Sequence, residues 1–107
     1  MAQETKQPSE YKLIAWEMED ALASGESLVS SNSNGSMSIV VTDEDSVDVT
    51  SSVIISGPTI NGTKVQAMTS GSYGADGDVF DMKWLITMSD DQIAEEDITL
   101  VIVEEKG

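Results

Sequence analysis

The stretch from Val79 to Met88 restricts the fold more than any other. Phe80, Met82, Trp84, Ile86 and Met88 fall on alternate positions, with Asp81, Lys83, Leu85 and Thr87 between them. Successive side chains of a strand point to opposite faces, so this pattern buries the first set and wets most of the second. No other segment places so many large apolar groups on one face. It is the candidate central strand of a single core, and an apolar sheet face must lie opposite it.

The rest of the chain divides into short pieces. Residues 1–7 are polar and predict a frayed, disordered start, and Pro8 opens a single domain over 8–104. Tyr11 to Met18 reads two ways. As a strand, Ile14, Trp16 and Met18 share a face; as a helix, Ile14, Met18, Ala21 and Leu22 form a stripe. The preferred reading is a strand through Trp16, then one short helical turn near residues 17–23, stopped by Gly25. Leu28 and Val29 begin another strand, and Asn34-Gly35 marks a tight turn. Met37 to Thr42 alternates, Asp43-Glu44-Asp45 is a loop tip, and Val47 to Ser56 is a β-branched run with at least one buried face. Gly57-Pro58 breaks it and Asn61-Gly62 turns the chain. Thr63 to Ser70 is the next strand, and the glycine-rich 71–78 leads into the central one. Ser89 to Gln92 turns again, Ile93-Ala94 and the acidic Glu95-Glu96-Asp97 follow, Ile98 to Val103 is the last strand, and 105–107 is a solvated tail. Regular short strands without a long helix predict an all-β, Ig-like antiparallel β-sandwich of about seven strands.

Charge and missing residue types narrow the function. The chain has 107 residues, 20 acidic and 5 basic, for a formal net charge of -15. A phosphate backbone demands clustered Lys or Arg, so nucleic acid is excluded as a partner, and anionic membranes with it. The basic residues are all Lys, and neither Cys nor His occurs. Disulfides, thiolate chemistry and the commonest general base and metal ligand are therefore lacking. No conventional Ser-His triad can form, and no pair of carboxylates is singled out for glycoside chemistry. The reading is a non-enzyme with no catalytic residues and no cofactor. The opening residues show no basic start followed by an apolar run, and no segment has the roughly 20 apolar residues of a membrane span.

The acidic clusters are the first candidate sites. Asp43 and Asp45, with Glu44 and Asp48, and Asp76 with Asp78 are the weak candidates for calcium, were their two loops to converge at one end of the sandwich. Neither loop completes a site alone: 43–48 lacks the sharp-turn glycine and the twelfth-position Glu of an EF-hand. Solvated loops are the simpler reading. Trp16 and Trp84 belong with the core by their period-2 context, each indole N–H seeking a backbone partner. Tyr73, in the glycine-rich loop, is the aromatic placed to be exposed. Tyr73, Asp90 and Asp91 are the candidate partner contacts. Asn34-Gly35-Ser36 and Asn61-Gly62-Thr63 match the glycosylation pattern but read as turns.

Several segments in order carry a resemblance. They are Pro8 with Glu10, the Trp16–Leu22 turn with Gly25-Glu26-Ser27-Leu28, Val53-Ile54-Ile55-Ser56-Gly57-Pro58 with Gly62-Thr63, and Gly71 to Gly77 running into Val79-Phe80 and Thr87-Met88-Ser89. From about Lys6 to Glu104 this order resembles a family of small phage and prophage structural proteins, Ig-like β-sandwiches of the fiber-tail or tail adaptor type. Two departures stand out. Phe80 replaces a frequent Tyr and cannot supply its hydroxyl tether, and Asp90-Asp91 replace a basic strand end. The resemblance implies a virion tail part made in a host cytoplasm, and carries no catalytic residue over. With the charge, it implies protein partners with basic surfaces. The alternatives are an Ig-like adhesion module binding calcium or carbohydrate through acidic loops, and a host-modulating mimic of an acidic surface.

Overall fold

A computed structural model describes residues 2–104. In chain order the strands are β1 (Ala2–Lys6), β2 (Leu13–Glu17), β3 (Leu28–Val29), β4 (Ser31–Asn32), β5 (Gly35–Ser36), β6 (Ser38–Thr42), β7 (Ile54–Asn61), β8 (Lys64–Thr69), β9 (Val79–Met88) and β10 (Ile93–Ile102). A 3-10 turn covers Glu19–Ala21, and one helical turn, α1, covers Thr50–Val53.

β9 is the centre of the larger sheet. It pairs antiparallel with β10 on one side and with β6 and β3 on the other, while β1 lies beyond β10. The smaller sheet runs β2-β8-β7, and β4-β5 is a separate hairpin. The inward face of β9 holds Phe80, Met82, Trp84, Ile86 and Met88, all buried, joined by Ile39 and Val41 from β6 and by Ile98, Leu100 and Ile102 from β10. Opposite them, the small sheet supplies Ile14, Val65 and Ala67. Two apolar sheet faces thus close on each other as a β-sandwich. Trp84, with no exposed surface, lies in the core, and Trp16 packs against it half-buried.

Several expectations are corrected. Ala2–Lys6 is a strand rather than a frayed end; it runs parallel to β10, with Gln3 opposite Thr99 and Lys6 opposite Ile102, so the sandwich is not wholly antiparallel. Gln3 to Lys6 are polar, and the strand joins the sheet by backbone pairing. There are more strands than seven because β3, β4 and β5 are two-residue pieces that sequence runs together. The β-branched run 47–56 is interrupted by α1. Asp48 Oδ1 accepts from the Thr50 N–H at 3.0 Å and the Thr50 hydroxyl at 2.6 Å, and that hydroxyl in turn accepts from the Val41 N–H at 2.8 Å. Side chains that bond nearby backbone offer it an alternative to the ladder.

Gly57-Pro58 does not end its strand. β7 continues through it with register shifts on either side of Ser56. Gly57 has φ 105°, and a Cβ there would sit 2.8 Å from the Gln66 carbonyl oxygen. Both tight turns fall one residue later or earlier than their dipeptides suggest: Asn32 pairs with Gly35 around Ser33-Asn34, and Asn61 pairs with Lys64 around Gly62-Thr63. Glu95-Glu96-Asp97 lie within β10, which matches the ten-residue length of β9, and Lys83 meets Glu95 across the pair at 3.1 Å. The indole N–H of Trp84 finds no partner among the described residues. The solvated tail expected at 105–107 lies outside the described residues.

Candidate docking surfaces

One end of the sandwich gathers most of the candidate residues. The loop after β6 and the loop before β9 meet there, because β6 and β9 pair with Thr42 opposite Asp81. A shallow cleft of about 220 Å³ is lined by Asp43, Glu44, Asp45, Tyr73, Asp78, Val79 and Phe80. Tyr73 is 37% exposed, and its ring centroid lies 5.8 Å from that of Phe80. Phe80 itself is buried, so this aromatic pair has one wet member and one dry one.

The carboxylates around the cleft accept from backbone N–H groups, some in their own loops and some across to another segment. Asp43 Oδ1 accepts from the N–H groups of Asp45 and Val47 at 2.9 and 3.0 Å, and Glu44 accepts from the Val79 N–H at 3.1 Å. Asp78 accepts from the Ala75 N–H at 2.8 Å. Asp76 stands apart from the cleft lining and accepts from the Glu104 N–H at 2.9 Å. Short polar side chains that cap backbone donors in this way hold turns rigid. Among the described residues no three carboxylates come together in a group able to hold a metal ion. Nearby, hydrogen bonds from Thr50 hold the Asp48 carboxyl below the usual aspartate range.

Asp90 and Asp91 lie at the opposite end, at the β9–β10 turn. Asp91, at φ 69°, accepts from the Ser33 N–H at 3.2 Å through its carboxylate and from the Asn34 side-chain amide at 2.7 Å through its carbonyl. Asp90 accepts from Gln92 twice, at 3.2 and 2.6 Å. The β3 approach is tied to the same turn, with Ser27 N–H to Ser89 Oγ at 3.0 Å and Ser89 N–H to the Ser27 carbonyl at 2.9 Å. The Glu26 carboxyl meets that of Asp90, and Oε2 of Glu26 is shielded from solvent with no N–H donor on it. The bond to Asp90 raises Glu26 above the usual glutamate range, and the same bond lowers Asp90. Glu26 has one other donor, the Ala23 N–H at 3.0 Å on Oε1, whereas Asp90 has two from Gln92, so a proton between the two carboxyls favours Glu26.

Sequence reasoning missed Glu26 and Lys6. Glu26 has no local signal, since its partner is far along the chain. Lys6 sits in the stretch read as frayed, yet it is buried, and its ammonium donates to the carbonyls of Gln7 at 2.8 Å and Pro8 at 3.4 Å. Burial lowers its pKa, partly offset by Glu10.

The model of one family, described as podophage GP4 fiber-tail adaptor protein gp77, matches residues 6–101. No curated protein and no solved structure matches the chain.

Proposed function

The chain belongs to the podophage GP4 fiber-tail adaptor protein family, and on that premise we propose that it is a non-enzymatic structural subunit of a phage tail that docks neighbouring tail proteins through the loops at both ends of its sandwich and through an edge strand. The match over residues 6–101 carries this reading, since it spans nearly the whole fold. The rest follows from physical chemistry. Loops tied down by their own carboxylates present fixed surfaces and lose little entropy on docking. The cleft of Asp43, Asp45, Asp78 and Tyr73 offers acid and an exposed ring, the complement of a Lys- or Arg-bearing surface. The corner of Asp90 and Asp91 offers acid at the other end. A net charge of -15 opposes contacts between copies and favours basic partners.

Purified tails from cells producing this chain test the reading. Mass spectrometry is expected to find the protein at fixed stoichiometry, released by high salt. Its consistent absence from tails would end the structural-subunit reading. Tyr73→Ala with Asp43→Asn and Asp78→Asn is expected to weaken incorporation while the sandwich stays folded.

A further inference from the structure

The two sheets present a small number of edges, and most are closed. On the larger sheet, the outer edge of β6 is covered by residues 48–50: Val49 N–H reaches the Val41 carbonyl at 2.8 Å, Val41 N–H reaches Thr50 Oγ1, and Thr42 bridges to Asp48. At the other side of that sheet, Lys6 O accepts from Val103 N–H at 2.8 Å, so the even residues of β1 face β10 and Gln3 and Thr5 face out. The outward carbonyl of Thr5 is taken by the Lys12 ammonium at 2.7 Å. On the smaller sheet, β7 is bulged and carries Pro58, which has no N–H. Bulges, lysines and prolines are the devices that keep an edge from pairing.

β2 has none of these. Its only neighbour among the described strands is β8. Bonded and non-bonded pairs alternate along an antiparallel ladder. Met18 N–H bonds the Thr63 carbonyl and Thr69 N–H bonds the Lys12 carbonyl, both at 2.9 Å. In that register the bonded pairs are Ile14 with Ala67 and Trp16 with Val65, so the N–H and C=O groups of Leu13, Ala15 and Glu17 point away from the sheet. The side chains beside this open row are exposed Leu13, at 49%, and Ala15, next to Tyr11, at 57%. Tyr11 is fixed there by its hydroxyl, 3.1 Å from Ser72 Oγ, and by the bare Cα of Gly71, where a Cβ would lie 2.6 Å from the ring. Glu17, Glu19 and Asp20 make the far end of the row acidic.

We propose that β2 is a strand-addition site, at which a neighbouring tail protein lays an extended segment along Leu13–Glu17, apolar where it passes Leu13 and Ala15 and bearing a Lys or Arg opposite Glu17. This rests on the docking role proposed above and names one surface for it. Main-chain bonds to the three outward residues give affinity, and the side-chain rows give register. A second copy of this chain is the poorer occupant, because each copy brings its own -15 and the same acidic end.

The test uses the whole protein, amide exchange and two probe peptides in excess, acetyl-KVTVTVK-amide and acetyl-EVTVTVE-amide. The basic peptide is expected to slow exchange at Leu13, Ala15 and Glu17 by about tenfold or more, and the acidic one to leave it unchanged. Ala15→Pro removes an outward N–H and no bond to β8; it is expected to keep the unfolding midpoint and abolish the protection. Leu13→Lys guards an edge as Lys12 does, and decides the matter if Ala15→Pro fails to fold. No protection, equal protection by both peptides, or protection elsewhere would overturn the proposal, as would a dimer in sedimentation that Ala15→Pro dissolves. In tails that contain the wild-type chain, folded Ala15→Pro is expected to be missing; its normal incorporation refutes the β2 site and leaves the structural-subunit reading standing. Were the wild-type chain itself absent from tails, that reading would fail, and the peptide arm would still decide the edge.

Discussion

At Trp84 two residue-scale effects oppose each other. The side chain has no exposed surface and fills the middle of the core, yet its N–H is buried without a partner among the described residues. Truncating a buried Trp costs about 3–5 kcal/mol, whereas an unsatisfied buried donor costs about 1–3 kcal/mol. Trp84→Ala is therefore expected to lose the full cavity cost in urea unfolding. Trp84→Phe removes the orphan donor together with only part of the volume, and is expected to cost less than about 2 kcal/mol; a clearly larger loss in Trp84→Phe would argue that the N–H is satisfied. Glu26 and Asp90 give a second residue-scale expectation, in pH. Glu26 is raised in the folded state, so its contribution is complete below the unfolded glutamate value and is lost as pH rises through the folded one. Asp90 is lowered, so its contribution is present above the unfolded aspartate value and is lost as pH falls through the folded one. The corner is thus firmest near about pH 4, where both hold. Glu26→Gln keeps a donor toward Asp90 at every pH. Its melting midpoint is expected to gain on wild type as pH rises from about 4 to 7, and to gain more than Glu19→Gln, which removes the same charge from an exposed site. Parallel profiles for the two variants would show that no shared proton ties the loops.

Among the elements, β7 shows where local sequence rules fail and why. Gly-Pro ordinarily punctuates a strand, yet here the strand passes through, because Gly57 takes a φ of 105° and lets the chain press against Gln66 and Ala67 of β8. Gly57→Ala meets both a disfavoured backbone region and a 2.8 Å overlap with the Gln66 carbonyl. It is expected to cost at least about 1–3 kcal/mol in chemical denaturation, while Gly77→Ala, with nothing within 4 Å of its Cβ, bears only the strain of its own φ of 94°. Equal losses would mean that β7 yields to the overlap. β9 was legible in its buried face and its ends because one strong period-2 run sets both. Of the set expected to be wet, only Asp81 and Lys83 are exposed: Leu85 is half-buried, and Thr87 is buried with its hydroxyl on the Val29 carbonyl. The β-sandwich class was legible from the regular spacing of short strands, and the turn after β2 from its apolar stripe and Gly25. β1 was not, since a polar strand held by backbone bonds leaves no hydrophobic period to find. Nor was the acidic half of β10, where the length of β9 outweighs the loop-like composition of Glu95-Glu96-Asp97. Of the surface candidates, composition brought out the acids and Tyr73, and the pairing of β6 with β9 is what gathers Asp43, Asp45, Tyr73 and Asp78 at one end while leaving Asp90 and Asp91 at the other. The open edge of β2 was invisible, because an edge is a property of the sheet.

For the molecule as a whole, charge is the dominant unspent term. Among the described residues, the salt bridges are Lys12 with Glu4 and Lys83 with Glu95, both solvent-exposed in part. Water screens both, so they add little stability, and most of the 20 acids face water and one another. Compacting such a chain brings like charges within a screening length, about 30 Å at 0.01 M salt and 10 Å at 0.1 M. Sodium chloride is therefore expected to raise the melting midpoint across this range, and each 1 kcal/mol of relieved repulsion is worth about 4–8 °C for a domain of this size. Calcium chloride at matched ionic strength separates screening from binding. If the carboxylates of Asp43 and Asp78 act as caps for their own loops and that of Asp76 as a tie to the Glu104 N–H, which is how their hydrogen bonds run, the two salts give the same midpoint. A specific site would add RT ln(1 + [L]/Kd) for the folded state alone, about 2.7 kcal/mol at a hundredfold excess over Kd, and would lift the calcium curve clear of the sodium curve. That excess, abolished by Asp43→Asn with Asp78→Asn, would turn the acidic end from a docking surface for basic side chains into a metal site, and the tail partner would then have to be sought at Asp90, Asp91 or the edge of β2.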